Sequence, residues 1–164
     1  MFVTSDHHFY HKNIIEYCNR PFSGVTKMNN KMIKNWNRTV GKYDVVFHLG
    51  DVGFGNREQM KHIVTKLNGY KVLVMGNHDL YRSVGWWKSV GFDEVYKQSI
   101  SFNNITMSHC PINRSDLHKN HWNIHGHHHN YHEDDLRYIN VAVDLNKFKP
   151  VLLEEVLDQR FSLK

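Results

Sequence analysis

Short apolar runs alternate with longer amphipathic segments along the chain. Five apolar runs precede short polar motifs and have the composition of β-strands; they are residues 2–4, 45–47, 72–75, 105–107 and 122–124. Residues 29–40 and 57–67 repeat apolar side chains at helical spacing, and Asn68-Gly69 after the second segment is a typical helix stop. The alternation predicts strands connected by helices that pack on a sheet.

The second half of the chain is richer in predicted strands. A helix is expected over residues 80–90, ending at Gly91, although Gly85 inside it costs about 1 kcal/mol relative to Ala. The pair Asn103-Asn104 predicts a tight turn between strands. The strands expected here are residues 95–97, 99–102, 105–108, 122–125 and 138–144. Residues 145–164 should close a sheet and add a short terminal helix.

These elements predict an α/β fold, specifically a four-layer α/β/β/α sandwich in which two mixed sheets pack face to face and helices flank them. Periodicity alone leaves one doubly wound sheet as an alternative. The chain has no Pro- or Ser-rich linker and no internal repeat, so a single domain over residues 1–164 is expected.

The cysteines, the first residues and the lengths of the apolar runs bear on where the protein is located. Cys18 and Cys110 are the only cysteines, and because they form no close-spaced pattern they are interpreted as reduced thiols. The first residues lack a secretory signal, and no apolar run approaches the roughly 20 residues that a membrane span needs. A cytoplasmic protein with no membrane partner is therefore expected.

The charge of the chain points to a phosphorylated partner. The formal net charge is +5 and the pI is about 9.2, and the lysines are spread along the whole length. Such a charge favours any phosphorylated ligand, so a small phosphorylated substrate and nucleic acid are both candidate partners. No oligomeric state follows from the sequence.

Five polar motifs follow the apolar runs. They are Asp6-His7-His8, Gly50-Asp51, Gly76-Asn77-His78-Asp79, His109 and Gly126-His127-His128-His129. In α/β sheets ligands bind beyond the carboxyl ends of the strands, so side chains distant in sequence are expected to meet there. The glycines permit the tight backbone that such turns require.

The residue types in these motifs suit a pair of transition-metal ions. Asp6 and His8 are two residues apart, and on a strand such side chains point to one side. A carboxylate together with imidazoles suits Zn, Mn, Fe or Ni better than Ca or Mg. Asp51 is the natural bridging carboxylate for two cations about 3.5–4 Å apart, and Asn77 offers a neutral oxygen to a second ion.

The order D-x-H, G-D, G-N-H-D, H, G-H-x-H resembles the calcineurin-like metallophosphoesterase superfamily, and residues 5–22 resemble its small bacterial and phage members. The resemblance implies a first metal held by Asp6, His8 and His129, a second held by Asn77, His109 and His127, and a bridge formed by Asp51. It implies that His78 contacts phosphate or acts as the general acid, with Asp79 orienting its imidazole. The cofactors would be two divalent ions, with Mn the expected choice in vitro.

The function expected from this pattern is metal-dependent hydrolysis of a phosphoester through a metal-bridging hydroxide. A small nucleotide-like or cyclic phosphodiester is the expected substrate, because few residues remain for an extended groove. A nuclease acting on DNA or RNA is the alternative, and a non-catalytic metal-binding scaffold is the second. His11 and Arg20 lie just downstream of the first ligand pair and are expected to line the phosphate pocket.

Several other side chains are expected to be structural. Histidines interpreted as surface or hydrogen-bonded residues are His62, His118, His121 and His132. Tryptophans that could stack on a nucleobase, but for which buried packing is expected, are Trp36, Trp86, Trp87 and Trp122.

Overall fold

Two mixed sheets form the centre of the molecule, which a computed structural model describes over residues 1–161. The first sheet has the order β4-β3-β2-β1-β9. Its parallel strands are β1 (Phe2–Thr4), β2 (Val45–His48), β3 (Tyr70–Val74) and β4 (Glu94–Tyr96), and β9 (Val151–Leu152) pairs antiparallel with β1. The second sheet has the order β5-β6-β7-β8. Its strands are β5 (Ile100–Phe102), β6 (Ile105–Met107), β7 (Trp122–His125) and β8 (Tyr138–Asn140). In it β6, β7 and β8 are parallel, and β5 is antiparallel to β6.

The alternation of side chains along the strands explains the packing of the two sheets. Phe2 and Val46 point to the core that the first sheet shares with the helices, whereas Val3 and Val74 point to the core between the sheets. The second sheet contributes side chains such as Ile124 to that same core. Because the first sheet is apolar on both faces, each face must be covered. The predicted pair of mixed sheets flanked by helices is confirmed, and the single doubly wound sheet is excluded.

The helices begin and end close to the predicted positions, with differences set by their caps. They are α1 (Ile14–Tyr17), α2 (Val25–Thr39), α3 (Arg57–Val64), α4 (Val84–Val90) and α5 (Leu153–Phe161). Helix α2 begins earlier than predicted, directly after Gly24. Helix α3 begins at a capping box of Asn56 and Gln59, and it ends before the expected stop at Asn68-Gly69.

The predicted helix over residues 80–90 is interrupted, and α1 was not predicted. Asp79–Tyr81 form a 3₁₀ turn, and α4 begins only after Ser83, whose side chain accepts a hydrogen bond from the Trp86 backbone N–H. The helix ends at Gly91 as expected, with a backbone φ of 120°.

The hairpin predicted at Asn103-Asn104 joins β5 to β6. Strand β8 is shorter than the predicted 138–144, since it ends at Asn140. Beyond it, an isolated bridge pairs Ala142 with Ser5, which follows β1. The predicted terminal helix is α5, and residues 162–164 of the predicted tail lie outside the described part of the chain.

Over residues 1–161, none of the helices combines the length and the apolar character that crossing a bilayer requires.

Two buried histidines connect the first sheet to the core under α2. His7 Nδ1 and His48 Nε2 are 2.9 Å apart, and the His7 ring stacks on Phe9 and lies 5.4 Å from the Trp36 ring. His7 and His48 are almost fully buried. One ring must donate to the other, so at least the accepting ring is neutral.

This imidazole pair predicts acid sensitivity of folding. Burial is the main cause that lowers the pKa of His48 to about 3 and the pKa of His7 well below its usual range. Below about pH 6.5 the unfolded chain therefore binds more protons than the folded chain. The free energy of unfolding should fall by up to about 1.4 kcal/mol per pH unit for each histidine as the pH decreases. Urea denaturation of the metal-free protein at several pH values below about 7 measures this slope.

A His7→Leu/His48→Leu double variant provides the comparison, because it removes both titrating groups while it keeps the site apolar. Its stability should depend less steeply on pH than that of the natural chain. His62→Gln on the exposed face of α3 is the control and should leave the slope unchanged. An equal slope in the double variant would contradict the assignment.

Candidate metal centre

The polar motifs lie in turns beyond the strand ends rather than on the strands themselves. Strand β1 ends at Thr4, so the predicted strand geometry of Asp6 and His8 is wrong. Both residues instead adopt left-handed backbone, with φ of 59° and 51°, and Asp51 and His127 do the same at 56° and 67°. Left-handed backbone is uncommon outside glycine, and it clusters at functional sites.

Backbone hydrogen bonds hold these turns against one another. The Asp6 N–H donates to the Gly50 carbonyl at 3.0 Å, and the His8 N–H donates to the Asp51 carbonyl at 3.1 Å. The His127 N–H donates to Asp6 Oδ2 at 2.9 Å. The turns after β1, β2 and β7 are therefore fixed to each other before any ligand is considered.

Two glycines make this close approach possible. A Cβ built on Gly76 would overlap the Asp51 carboxylate, and a Cβ on Gly126 would overlap the Asp6 carboxylate. Any side chain at either position would push a carboxylate out of the centre of the cluster.

The first predicted ligand set is brought together. Asp6, His8 and His129 each offer a ligand atom within 4.8 Å of the others. Asp6 Oδ1 lies 3.9 Å from both His8 Nε2 and His129 Nε2. These atoms come from the turns after β1 and β7, which are 121 residues apart in the chain.

The second predicted set lies beside the first. His109 Nε2 is 2.9 Å from Asn77 Oδ1 and 3.2 Å from His127 Nδ1. Asp51 Oδ2 lies between the two sets, 3.6 Å from His8 Nε2 and 3.4 Å from His109 Nε2. Two ligands of one ion are typically about 3–3.5 Å apart, because each lies about 2.0–2.2 Å from the metal.

The chemistry of these donors fits divalent ions. Asp6 Oδ1 and His8 Nε2 are buried, and neither has a hydrogen-bond partner among the described residues. A buried polar atom without a partner is unfavourable, and a cation bound between converging oxygen and nitrogen atoms would supply that partner. Seven residues of ligand type from five separate motifs therefore form one candidate centre.

His78 lies at the edge of the cluster, but Asp79 does not play the part expected of it. The His78 side chain is 41% exposed, and its Nε2 lies 3.9 Å from Asp51 Oδ2. The buried Asp79 carboxylate accepts backbone N–H groups of Asp51, Val52 and Gly76 at 2.7, 3.0 and 2.8 Å. It orders the two turns that carry Asp51 and Asn77, rather than the His78 imidazole.

Arg20 is also placed differently from the expectation. Its guanidinium forms a two-pronged ion pair with Asp144, with both N–O distances 2.8 Å. It further donates to the carbonyls of His7 and Asp6 at 2.8 and 2.7 Å. The side chain is buried and does not line the cavity, because these partners occupy it. Arg20 therefore supports the first ligand turn from behind.

Asp144 is a functional residue that the sequence analysis missed. Its Oδ2 lies 2.9 Å from His129 Nδ1, which directs His129 Nε2 towards Asp6. A carboxylate behind a metal-binding histidine fixes the tautomer and ring orientation. Asp144 follows an apolar run as the five motifs do, so a signal existed in the sequence.

A cavity of about 890 Å³ opens over the cluster. His8, His78, His127 and His129 contribute to its lining, and His11 lines it as expected. His11 Nδ1 lies 3.2 Å from His8 Nδ1.

Comparison with known proteins identifies the family of the chain. Fold and cluster together define an α/β protein with a candidate metal centre at its strand ends. The family model for calcineurin-like phosphoesterases matches residues 1–162, and the chain belongs to this family.

Individual relatives span different shares of the chain. This chain is 37% identical to the uncharacterized protein MJ1445 of Methanocaldococcus jannaschii, over 96% of this chain and 89% of that protein. It is 35% identical to the gene 66 protein of Mycobacterium phage L5 over 46% of the chain and 38% of that protein.

Two solved structures share the fold. A protein of unknown function from Aquifex aeolicus, AQ665, superposes with a TM-score of 0.77 at 28% identity, covering 97% of this chain and 98% of that one. The Pseudomonas putida nuclease MPE superposes with a TM-score of 0.54 at 17% identity, covering 77% of this chain and 60% of that one. The second likeness shows the fold alone.

The protonation of two histidines predicts pH-dependent metal binding. Burial opposes the protonation of His109, but hydrogen bonding to Asp51 and the charge of Asp6 raise its pKa to about 9. Burial likewise opposes the protonation of His129, but hydrogen bonding to Asp144 and Cys18 and the charge of Asp6 together raise its pKa to about 10. A metal must displace both protons, so Mn²⁺ affinity should rise by about tenfold per pH unit for each proton displaced near neutral pH.

Calorimetric titration in buffers of different ionisation enthalpy counts the protons released. In a His129→Ala variant the number should fall by one. Binding that releases no proton from the natural chain would contradict this protonation state.

Asp144→Asn is expected to weaken metal binding at the His129 position by about 10–100-fold, because the carboxylate no longer orients the imidazole. Competition with a chelator measures the affinity of each site. Asp135→Asn is the matched control, since Asp135 pairs with Arg137 outside the cluster. Arg20→Lys, which keeps a buried positive charge near Asp144, should show a smaller loss. Wild-type affinity in a folded Asp144→Asn protein would contradict the role of Asp144.

Proposed function

We propose that this protein hydrolyses phosphodiesters of small nucleotide-like compounds at a dinuclear centre. The observation that supports this most directly is the convergence of seven ligand-type residues from five strand-end motifs. Three of them, His8, His127 and His129, line one open cavity. The proposal assigns Asp6, His8 and His129 to one ion, and Asn77, His109 and His127 to the other. Asp51 would bridge them. Manganese is proposed as the metal for assays in vitro, in a single cytoplasmic domain over residues 1–164.

When bound, two divalent ions would acidify a water molecule and neutralise the charge of phosphate oxygens. The side chains hold the reacting groups in place. Burial raises the pKa of Asp51, but the hydrogen bond and charge of His109, the charge of His8 and the His78 backbone N–H together lower it to about 2. Asp51 is therefore ionised at neutral pH. The turns around it are fixed by Asp79, so the ligand geometry exists before substrate arrives.

His78 is proposed as the group that protonates the leaving oxygen. It is half-exposed at the cavity wall, next to Asp51, so it can reach a substrate oxygen and exchange its proton with solvent. Its backbone N–H donates to Asp51 Oδ1 at 3.0 Å, which ties the position of the acid to that of the proposed bridging carboxylate.

A small phosphodiester suits the cavity better than an extended nucleic acid does. Lys, Arg, Asp and Glu side chains are absent from the described residues that line it. A nucleic-acid backbone needs a track of cations to neutralise successive phosphates, whereas one phosphate needs only the centre itself.

His78→Ala should lower kcat by about 10²–10⁴-fold for esters with an alkyl leaving group, since such alkoxides need a proton. The loss should be small for p-nitrophenyl esters, whose leaving group departs as a stable anion. Metal content should stay unchanged. Turnover of a cyclic nucleotide and of bis-p-nitrophenyl phosphate with Mn²⁺ measures the contrast.

Asp51→Asn should lose turnover of both esters together with metal, and His62→Ala on the surface of α3 should change neither. Hydrolysis of DNA or RNA with no turnover of small diesters would favour the nuclease alternative. A metal-loaded protein that hydrolyses no phosphoester would refute the proposed function.

A further inference from the structure

One wall of the cavity carries exposed aromatic side chains next to the metal centre. Phe54 is 44% exposed and Tyr17 is 71% exposed. Phe9, which precedes Tyr17 in the chain, is by contrast fully buried. Phe54 lies in the turn after β2 and Tyr17 at the end of α1, and both line the cavity. Exposed apolar rings are unfavourable in water, and a ligand that covers them removes this cost.

His11 lies between these two rings, tilted by 41° to Phe54 and by 78° to Tyr17. The Phe54 and His11 ring centroids are 4.3 Å apart, and those of His11 and Tyr17 are 6.2 Å apart. We call this surface of Tyr17, His11 and Phe54 the aromatic row.

The aromatic row is in direct contact with the proposed reaction centre. The Phe54 ring lies nearly parallel to that of the ligand His8, at 5.8 Å and 14°, and its centroid is 5.1 Å from that of His78. A flat group packed on Phe54 would therefore be adjacent to a phosphate held above Asp51 and His78.

The row and its surroundings have the chemistry that recognises a nucleobase. Flat rings stack on bases of any sequence, and the Asn130 amide in the cavity offers both a donor and an acceptor for a base edge. An acyl chain would instead need an enclosed apolar channel. The described lining residues include no Lys or Arg, so within the cavity a phosphate is bound only at the centre.

We propose that Phe54, with His11 and Tyr17, forms a base-stacking subsite that makes the enzyme selective for phosphoesters attached to a nucleoside. This inference rests on the proposed function, which leaves the residues that contact the base unassigned. The nucleoside can belong to a free nucleotide or to a single-stranded end, and both present the same base and phosphate.

Binding of AMP and ribose 5-phosphate to the Mn²⁺-loaded protein tests the proposal, because ribose 5-phosphate carries a hydroxyl where AMP carries the base. Isothermal titration should show AMP binding about five- to 150-fold more tightly. In Phe54→Leu this ratio should approach one, with the affinity for ribose 5-phosphate unchanged. Phe54→Trp keeps a flat ring and should preserve the preference.

Tyr43→Leu is the matched control, since Tyr43 is an 89% exposed aromatic residue that does not line the cavity. It should leave the ratio at the wild-type value. Equal affinity of the natural chain for both ligands would overturn the proposal, and so would a preference that persists in Phe54→Leu. If Phe54→Leu also loses ribose 5-phosphate binding, Tyr17→Leu replaces it: a reduced ratio supports the proposal, and an unchanged ratio overturns it.

Two further comparisons complete the test. A short oligoadenylate that binds more tightly than AMP, with a steep salt dependence, identifies a single-stranded end as the source of the base. Affinity equal to that of AMP identifies a free nucleotide, and either result supports the subsite. Because binding is measured apart from turnover, base preference without hydrolysis would refute only the proposed function. Hydrolysis without base preference would refute only the subsite.

Discussion

The left-handed backbone of four candidate ligand residues is the constraint on which the centre depends. Asp6, His8, Asp51 and His127 each hold a conformation that costs about 1–3 kcal/mol for a residue with a side chain. The turns keep it because neighbouring groups hold them from several directions. Asp79 accepts three backbone N–H groups, and Arg20 caps two carbonyls of the first turn. These contacts offset the strain of the turns, and the turns in this conformation bring the ligand atoms together.

Electrostatics explain how so many polar groups remain buried in one place. Asp51 and Asp144 are anionic, and in the metal-free protein the protonated His109 and His129 are their internal counterions. Arg20 supplies a further positive charge beside Asp144. Metal binding then exchanges protons for cations, so the net charge of the cluster changes less than the charge of the ions implies. A folded metal-free protein is consistent with this arrangement.

The sequence predicted most of the strands, the pair of sheets and all seven candidate ligands, because apolar runs followed by polar motifs are local patterns. It did not predict how the motifs reach one another. Asp6 and His8 meet through left-handed turns rather than strand alternation, and no local pattern specifies that backbone. Its position just downstream of the first ligand pair places Arg20 in the pocket, whereas its partner in the structure, Asp144, is 124 residues away. Long-range pairs of this kind become visible only in the folded chain.

The two halves of the cavity have different structural origins, and this difference bears on specificity. The floor consists of turns fixed by sheet pairing and by the hydrogen bonds of Asp79, so its geometry follows from the fold. The aromatic row comes from the four-residue helix α1, which carries Tyr17, from the segment before it, which carries His11, and from the segment after β2, which carries Phe54. Such segments tolerate sequence change without cost to the core. A chain with this fold can therefore keep its centre while its substrate changes through a few side chains such as Tyr17 and Phe54.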